Sequence, residues 1–487
     1  MNAEKAERIL TLDVGTTSVK ACLFDRAMRL TAQAGQEYML ETHDSWAEAQ
    51  PQLYLDAVKQ CVLELPATQR AQVCAVALTT QGETLICVDR QGRPLRPAIV
   101  WLDSRAVVQA TQLEQVMDRQ KFYEQTGLPE LTGALPLSKL CWLREQEPDV
   151  WAQTDKFLLL EDYLMRWLTG RTVTEKSLLS STGYFDLRSD DYWDDALSMA
   201  GVDRARLPEA LECGTIVGTL LPERAHALGL PESAQVVTGA MDQTAAAYAA
   251  GCVEPGMLCE TTGTAMVAAA YTDCPQFSPA HHVTVYRHAM PGAFLYLPIS
   301  NTVGMALKWF RDEFCGDVRG GYPALDRMAE QVPPGSQGVT FLPFLSGCVD
   351  PDHLPDATGC FFGLRLSTTR ESCVRAVLEA AAFQLRDFLK MLEELGCHAQ
   401  KVTSLGGGAG SRLWMQIKAD VCRRPFRTLH TVQATSLGAA MLAARALAWP
   451  VLSAGEETVY LPHPDADYDA AYAAYRRVYE ALYLQKG

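Results

Sequence analysis

Long apolar runs are missing from this chain of 487 residues. No stretch reaches the roughly 18 apolar residues that a membrane-spanning helix needs, so none is expected. Excess positive charge is missing too. Lys and Arg number 43 against 58 Asp and Glu, a formal net charge of −15. Nucleic acid and anionic membrane surfaces both need clustered cations, so neither is expected as a partner. A small anionic ligand held by a local site is compatible with that balance. No CxxC pair occurs, and the 15 cysteines are odd in number and scattered from Cys22 to Cys422. A disulfide framework or a zinc ribbon is therefore not expected, and the thiols read as small buried hydrophobes in a reducing compartment. The opening segment MNAEKAERILTLDVG carries no apolar leader core, which points to a cytoplasmic protein. Low-complexity linkers are absent. What is present is a 48% hydrophobic share, enough for large cores and too much for a disordered chain. The length allows roughly three domains, or two large ones.

Two stretches resemble each other. Residues 9–17 read ILTLDVGTT and residues 258–264 read LCETTGT; each is a strand-like run with an acidic residue near its end, followed by a turn of Gly and Thr. Each returns into an apolar run, VKACLF at 19–24 and AMVAAAY at 265–271. Gly15 and Gly263 lie 248 residues apart, close to half the chain. The simplest organisation is two related halves, 1–247 and 248–487, each opening with a hairpin and meeting near the turn Glu254–Pro255–Gly256. Coincidence between two common Gly/Thr turns is the plainer alternative. Elsewhere strand and helix patterns alternate, which makes the chain α/β. Residues 72–79 read as a buried strand. Residues 370–395 carry helical spacing (Val374, Val377, Leu378, Ala381, Leu385, Phe388, Leu392), with Thr368 and Glu371 as a capping box and Gly396 as the stop. Strand-like 402–405 leads into the glycines of 406–410, and a helix follows with Leu413, Trp414, Ile417 and Val421 inward.

Several of these segments can carry chemistry. Asp13 precedes Gly15, Thr16, Thr17, Ser18 and Lys20. Glycine lets the backbone approach a phosphate, the hydroxyls add donors, and a carboxylate at a strand end can hold Mg²⁺. The Thr261–Thr264 turn, with Gly263 and Thr264, offers the same donors, and two such hairpins facing one another would grip a polyphosphate. The first is not a Walker A loop. The cluster Gly406–Ser411 can present helix N–H groups or lie flat against a nucleotide; an empty strand–helix turn is the plainer alternative. Asp242 follows an apolar strand and a glycine turn and precedes a run of small alanines. A carboxylate there can accept a hydroxyl proton during phosphoryl transfer, or merely cap a helix. Gln81–Gly82–Glu83–Thr84 and Trp101–Leu102–Asp103–Ser104–Arg105 mix amide, carboxylate, guanidinium and indole, a set suited to a polyhydroxylated ligand. An exposed Asp103–Arg105 ion pair, worth little, is the alternative. His281 and His282 are adjacent and would point apart on a strand, so joint metal chelation is not expected.

Taken together, LTLDVGTTSVK, TTQGET, WLDSR, KLCWLREQ, LLLEDYLMRWLTG, GAMDQTAAAYAAG, ETTGTAM, NTVGMALKWFRD, FLPFLSG, DATGCFFGL, RAVLEAAAFQLRD, SLGGGAGSRLWMQIKAD and ATSLGAAMLA resemble the FGGY family of carbohydrate kinases, over about residues 9–447. The resemblance implies two ribonuclease-H-like domains of the actin/hexokinase superfamily with an interdomain cleft. It implies ATP and Mg²⁺ as cofactors, ATP mostly on the second domain and sugar mostly on the first. Asp242 then matches the catalytic base and Asp13 the Mg²⁺-associated carboxylate. Thr16, Thr17, Ser18 and Lys20 fall in the first phosphate loop, and Gly263 and Thr264 in the second. Gly304, Gly407, Gly408 and Ser411 fall where the family contacts nucleotide. Gln81, Gly82, Glu83, Trp101, Asp103, Arg105, Asp242 and Gln243 are the substrate-side residues. FLPFLSG, DATGCFFGL and ATSLGAA are most similar to xylulokinases, which implies a ketopentose such as xylulose. Xylulokinases, however, usually carry Met-His in place of Gly82–Glu83, whereas glycerol kinases carry Arg-Glu, and Cys348–Val349–Asp350 replaces a usual Glu-Arg-Thr. A glycerol or other polyol kinase is the first alternative; a sugar-independent ATPase or a sugar-binding regulator is the alternative of another class. A homodimer is expected.

Overall fold

The computed structural model describes residues 7–429, 433–450 and 457–484. The opening segment read for a leader therefore lies partly outside the described residues. The chain forms two compact units. The first runs to Ala249 and takes in Val285–Phe294 and the described part of Gln433–Ala454; the second holds Ala250–Thr284, the described part of Leu295–Val432, and the described residues after Gly455. The sequence division at 247/248 is linear, whereas these units exchange two later segments.

The first unit is built on β1 (Arg8–Val14), β2 (Ser18–Phe24), β3 (Leu30–Glu37), β4 (Val73–Thr80), β5 (Ile216–Thr219) and β6 (Gln235–Val237), in the order β5-β6-β4-β1-β2-β3. β1, β2 and β3 form an antiparallel meander, β4 pairs parallel with both β1 and β6, and β5 closes the edge antiparallel. The central strands are apolar on both faces, as strands covered on both sides must be. Leu10, Leu12, Val19 and Val76 pack with Tyr54, Val58 and Val62 of the helix Pro51–Glu64. On the other face the helix Ala434–Ala446 packs against β1 and β4, and Cys22 meets Ser436. That helix also crosses Asp242–Ala249 so closely that a Cβ on Gly438 would lie 1.9 Å from the Ala245 carbonyl oxygen. A second, five-stranded sheet contains Leu85–Val88 and Ala98–Ile99. Gln81–Thr84 thus bridges the two sheets, and Trp101–Arg105 follows the second.

The second unit repeats the plan. β7 (Met257–Thr262), β8 (Met266–Thr272), β9 (Phe294–Tyr296), β10 (Lys401–Leu405), β11 (Phe426–Leu429) and β12 (Glu457–Tyr460) lie in the order β9-β8-β7-β10-β11-β12. β7 is antiparallel to β8 and parallel to β10, β10 is parallel to β11, and β12 is antiparallel. A hairpin extended by a third strand on one side, and by parallel crossover strands on the other, is the ribonuclease-H-like arrangement of the actin/hexokinase superfamily, present once per unit. Two local expectations are corrected. The helix Arg370–Glu394 is capped by Thr369, which accepts from the Ser372 N–H, and not by Thr368, whose hydroxyl oxygen instead accepts from the Arg365 N–H. Leu413 is only half-buried, while Trp414, Ile417 and Val421 are inward as expected. Gly396 has φ 78, the left-handed value that a helix stop needs. None of the cysteines is in a disulfide, and most are buried.

The acidic residue of the second hairpin has a structural partner. Glu260 and Lys418 are both 0% exposed and meet at 2.7 Å, and Lys418 also donates to Thr262 Oγ1 at 2.9 Å. Thr262 in turn donates to the second Glu260 oxygen at 2.7 Å. Removing one partner leaves a buried charge uncompensated, at a cost of about 3–5 kcal/mol. Lys418→Met should therefore lower the urea midpoint by that equivalent, and the double variant Lys418→Met/Glu260→Gln should recover most of the loss; equal losses in both would contradict the account.

Candidate active site

The first unit gathers carboxyl groups that have few cationic partners. Asp242 is the first residue of its helix, and its Oδ1 accepts the Gln243 backbone N–H at 2.6 Å. Burial pushes its carboxyl up to about 7, and the neighbouring Asp13 and Glu83 add to the rise. Asp13, near the end of β1, is pushed up to about 6 by burial, which Lys20 across the hairpin partly offsets. Burial also raises Glu83, against the lowering effect of Lys139 and of hydrogen bonds with Ser181 and Tyr286. The Tyr286 phenol is raised by burial and by the charges of Glu83 and Asp242, so it stays a neutral donor between them.

The backbone before Asp242 is tightly determined. A Cβ on Gly239 would lie 1.4 Å from the Leu78 carbonyl oxygen, so only glycine fits. The Gly239 N–H donates to Glu161 at 3.2 Å, and the Met241 N–H donates to Glu175 at 3.1 Å and to Ser177 at 3.0 Å. Asp242 is the first residue of its helix, not a residue capping it from outside, and it lies beside Asp13 and Glu83.

The substrate-side residues divide. Gln81 is buried and its N–H extends the β1 register by donating to Val14 at 3.0 Å. A Cβ on Gly82 would come to 3.1 Å from Ser181 Oγ and 3.3 Å from Met241 Sδ, so the loop lies directly on the segment before Asp242. Glu83 has φ 57, a left-handed backbone uncommon for a residue with a side chain. Trp101 is 37% exposed and donates its indole N–H to Thr16 Oγ1 at 2.9 Å, which joins the indole to the first Gly/Thr turn. Asp103 and Arg105 form a buried pair, not an exposed one. Asp103 also accepts the Ala47 N–H at 2.6 Å, while Arg105 reaches Glu48 at 2.7 Å and lies 3.7 Å over the Trp46 ring. Both are held mainly by protein groups and stiffen the loop beneath Trp101. Thr17, Lys20 and Gln243 are exposed, and Ser18 is half-buried.

In the second unit a cavity of about 310 Å³ is lined by Gly263, Thr264, Gly304, Gly407, Gly408 and Ser411 together with Met305, Tyr322, Pro323 and Trp414. The backbones touch. A Cβ on Gly304 would be 1.5 Å from the Gly263 carbonyl oxygen, and one on Gly408 would be 2.9 Å from Thr262 Cβ. Ser411 caps the following helix by accepting the Trp414 N–H at 3.1 Å, and Asp326 hydrogen-bonds Ser411. Apolar walls beside exposed backbone amides suit a flat heterocycle carrying phosphates.

Residues 8–249 match the model of the FGGY family of carbohydrate kinases, N-terminal domain, and residues 257–447 match that of its C-terminal domain. The chain belongs to the FGGY family of carbohydrate kinases. It is 32% identical over 487 residues to a xylulose kinase of Escherichia coli (strain K12), covering 97% of this chain and 98% of that one. A gluconokinase of Bacillus subtilis (strain 168) is 28% identical over 449 residues, with coverage of 89% and 86%. Among solved structures, a xylulose kinase from Rhodospirillum rubrum superposes with a TM-score of 0.89 at 29% identity, over 98% and 99% of the two chains. Family membership makes the chain a phosphotransferase with an alcohol group as acceptor, of a family that uses ATP as phosphate donor. Among the described residues no helix is long and apolar enough to cross a membrane.

Sequence reasoning missed four residues of this kinase at or behind the candidate site. Ser181 and Tyr286 meet Glu83, and Lys139 lies beside it; Trp414 closes the cavity of the second unit and was read only as a core residue. Tyr286 gave no signal, because it returns to the first unit from the second half of the chain. Lys139 did give one: a lone cation in the apolar run PLSKLCWL.

A carboxyl raised from 3.8 to about 7 binds more protons folded than unfolded between those values. Stability from this group is therefore lost as pH rises through that window. Asp242→Asn should raise the melting temperature by a few degrees at pH 8, about 1–3 kcal/mol, with the gain shrinking toward pH 4. A gain independent of pH would contradict the assignment.

Proposed function

We propose that this FGGY kinase transfers the terminal phosphoryl group of ATP to a hydroxyl of a small sugar, with a ketopentose such as xylulose as the substrate. The observation that carries the reading is the desolvated carboxyl of Asp242, beside Glu83 and Tyr286 and fixed by the glycine turn before it. A general base works best with a pKa near the operating pH, and burial tunes Asp242 to about 7. Asp242 takes the proton of the attacking hydroxyl. Glu83, Ser181 and Tyr286 supply acceptors and donors for the other hydroxyls, and the exposed Trp101 face covers C–H surface. The xylulose kinases among the relatives support the ketopentose.

On the second unit, the apolar walls of the cavity take the base of the nucleotide, and Gly263, Thr264, Gly304, Gly407, Gly408 and Ser411 take its sugar and phosphates. On the first, Thr16, Thr17, Ser18 and Lys20 supply phosphate donors. Sugar thus belongs to the first unit and nucleotide to the second. Asp13 fits Mg²⁺: its carboxylate oxygens are hard donors, and Lys20 offsets its desolvation only in part. Mg²⁺ supplies neutralisation of phosphate charge when bound. Phosphoryl transfer asks mainly for positioning and electrostatic stabilisation, which this arrangement of fixed groups provides.

Glu83 favours a second reading, a glycerol or other polyol kinase, because glycerol kinases resemble this chain at that residue. A gluconate-like acid is disfavoured by the three neighbouring carboxyls Asp13, Glu83 and Asp242. Coupled ADP release over ketoses, polyols and aldonates tests the substrate: xylulose should give the highest kcat/KM, and a higher value for glycerol or gluconate would overturn the ketopentose. Asp242→Asn should lower kcat by about 10²–10⁴-fold and leave the KM for ATP within about twofold. Near-normal turnover in that variant would refute the base. In the wild type, log kcat/KM for the sugar should rise with unit slope up to a pH of about 7 and then level; a profile flat down to pH 5 would contradict it.

A further inference from the structure

Lys139 sits on the helix Pro136–Gln146, which is apolar around it: Leu137, Leu140 and Leu143 are buried. Its side chain is 0% exposed. Burying an ammonium without a carboxylate in contact is costly, and burial lowers this one to about 8, against the raising effect of Glu83 and Asp103. Among the described residues no carboxylate lies within ion-pair distance of the ammonium. Instead it donates to two backbone carbonyls, Val100 at 2.9 Å and Glu83 at 3.2 Å.

Those carbonyls belong to two separate segments. Glu83 lies in Gln81–Thr84, held with φ 57, and Val100 directly precedes Trp101. The charged groups around the ammonium are Glu83, Asp103 and Arg105, and Asp103 and Arg105 already neutralise each other in their buried pair. Glu83 has no comparable partner: Lys139 gives the largest effect opposing its desolvation. One buried cation therefore ties the loops together through their backbones and supplies the positive potential behind the Glu83 carboxylate.

We infer that Lys139 is a positioning residue for sugar recognition: it ties the Glu83 and Val100 carbonyls together, and so sets the distance between the Glu83 carboxylate and the Trp101 indole across which the sugar is gripped. The inference rests on the reading that these two loops bind the sugar. Lys139 itself is too deeply buried to touch substrate.

The test is a double-mutant cycle on the full chain with xylulose and ATP as probes, using Lys139→Met, Glu83→Gln and the double variant. Lys139→Met keeps the volume of the side chain and removes every donor. It should raise the KM for xylulose by tenfold or more and leave the KM for ATP within about twofold. Its effect should be smaller by at least threefold in the Glu83→Gln background, because the two residues share one function. Lys139→Arg, which keeps charge and donors, should recover part of the sugar affinity. A merely structural role moves the sugar and ATP parameters together, or lowers the active fraction at unchanged KM; either result overturns the inference. If Lys139→Met does not fold, Lys139→Gln is read by the same criteria. If Glu83→Gln raises the KM for xylulose and neither Lys139 variant does, the inference falls while the sugar-site reading stands. If Glu83→Gln leaves that KM unchanged, the reading itself fails, and the inference with it.

Discussion

Desolvation of carboxyl groups is the constraint on which the first unit depends. Asp13, Glu83 and Asp242 lie near one another; Lys20 opposes the rise of the first and Lys139 that of the second, and among the described residues neither lysine forms a direct ion pair with them. Leaving carboxylates poorly solvated and unpaired is unfavourable to folding. The chain tolerates it because rigid surroundings leave no alternative: a glycine turn pressed on Leu78, a helix crossing at Gly438, and the buried Glu161 and Glu175 gripping the backbone before Asp242. The same features that make the site unfavourable for stability raise Asp242 into the range where a base is useful, a trade found wherever strain and burial concentrate at functional sites.

The two hairpins show how one fold serves two ends. Both carry an acidic residue near the end of the first strand. In the second unit that residue, Glu260, is sealed against Lys418 and Thr262 and is structural. In the first unit, Asp13 lies opposite Lys20 across the strand pair, and Lys20 offsets its desolvation only in part. The second unit spends its glycines differently, stacking the Gly406–Gly410 turn on Thr262 and Gly304 on Gly263, so that bare backbone lines an apolar cavity. Similar topology thus yields a carboxylate-rich surface in one unit and an amide-rich one in the other.

Much of this was legible in the residues. The alternation of apolar runs and Gly/Thr turns marked both hairpins. The long amphipathic pattern of 370–395 marked its helix, with the cap misplaced by one residue because Thr368 and Thr369 are adjacent candidates. The order of the motifs carried the family. What was not legible depends on the third dimension. Asp103 and Arg105 read as ligand contacts, with an exposed ion pair as the alternative, and only the packing of Trp46 and Glu48 around them makes the pair a buried brace. Tyr286 belongs to a segment that crosses back from the second half of the chain, which periodicity does not register. Lys139 was marked in the sequence as a lone cation in an apolar run, but its two carbonyl partners lie on segments 39 and 56 residues away, which no local pattern joins to it.

The central claim is that Asp242 titrates near neutrality because its half-buried side chain is desolvated beside two other carboxyls. Difference infrared titration of the wild-type chain against Asp242→Asn, without ligands, isolates that carboxyl from the rest. The account predicts a protonated-carboxyl band that disappears with a midpoint near pH 7. A midpoint near 4, the ordinary value for a solvated aspartate, would contradict it.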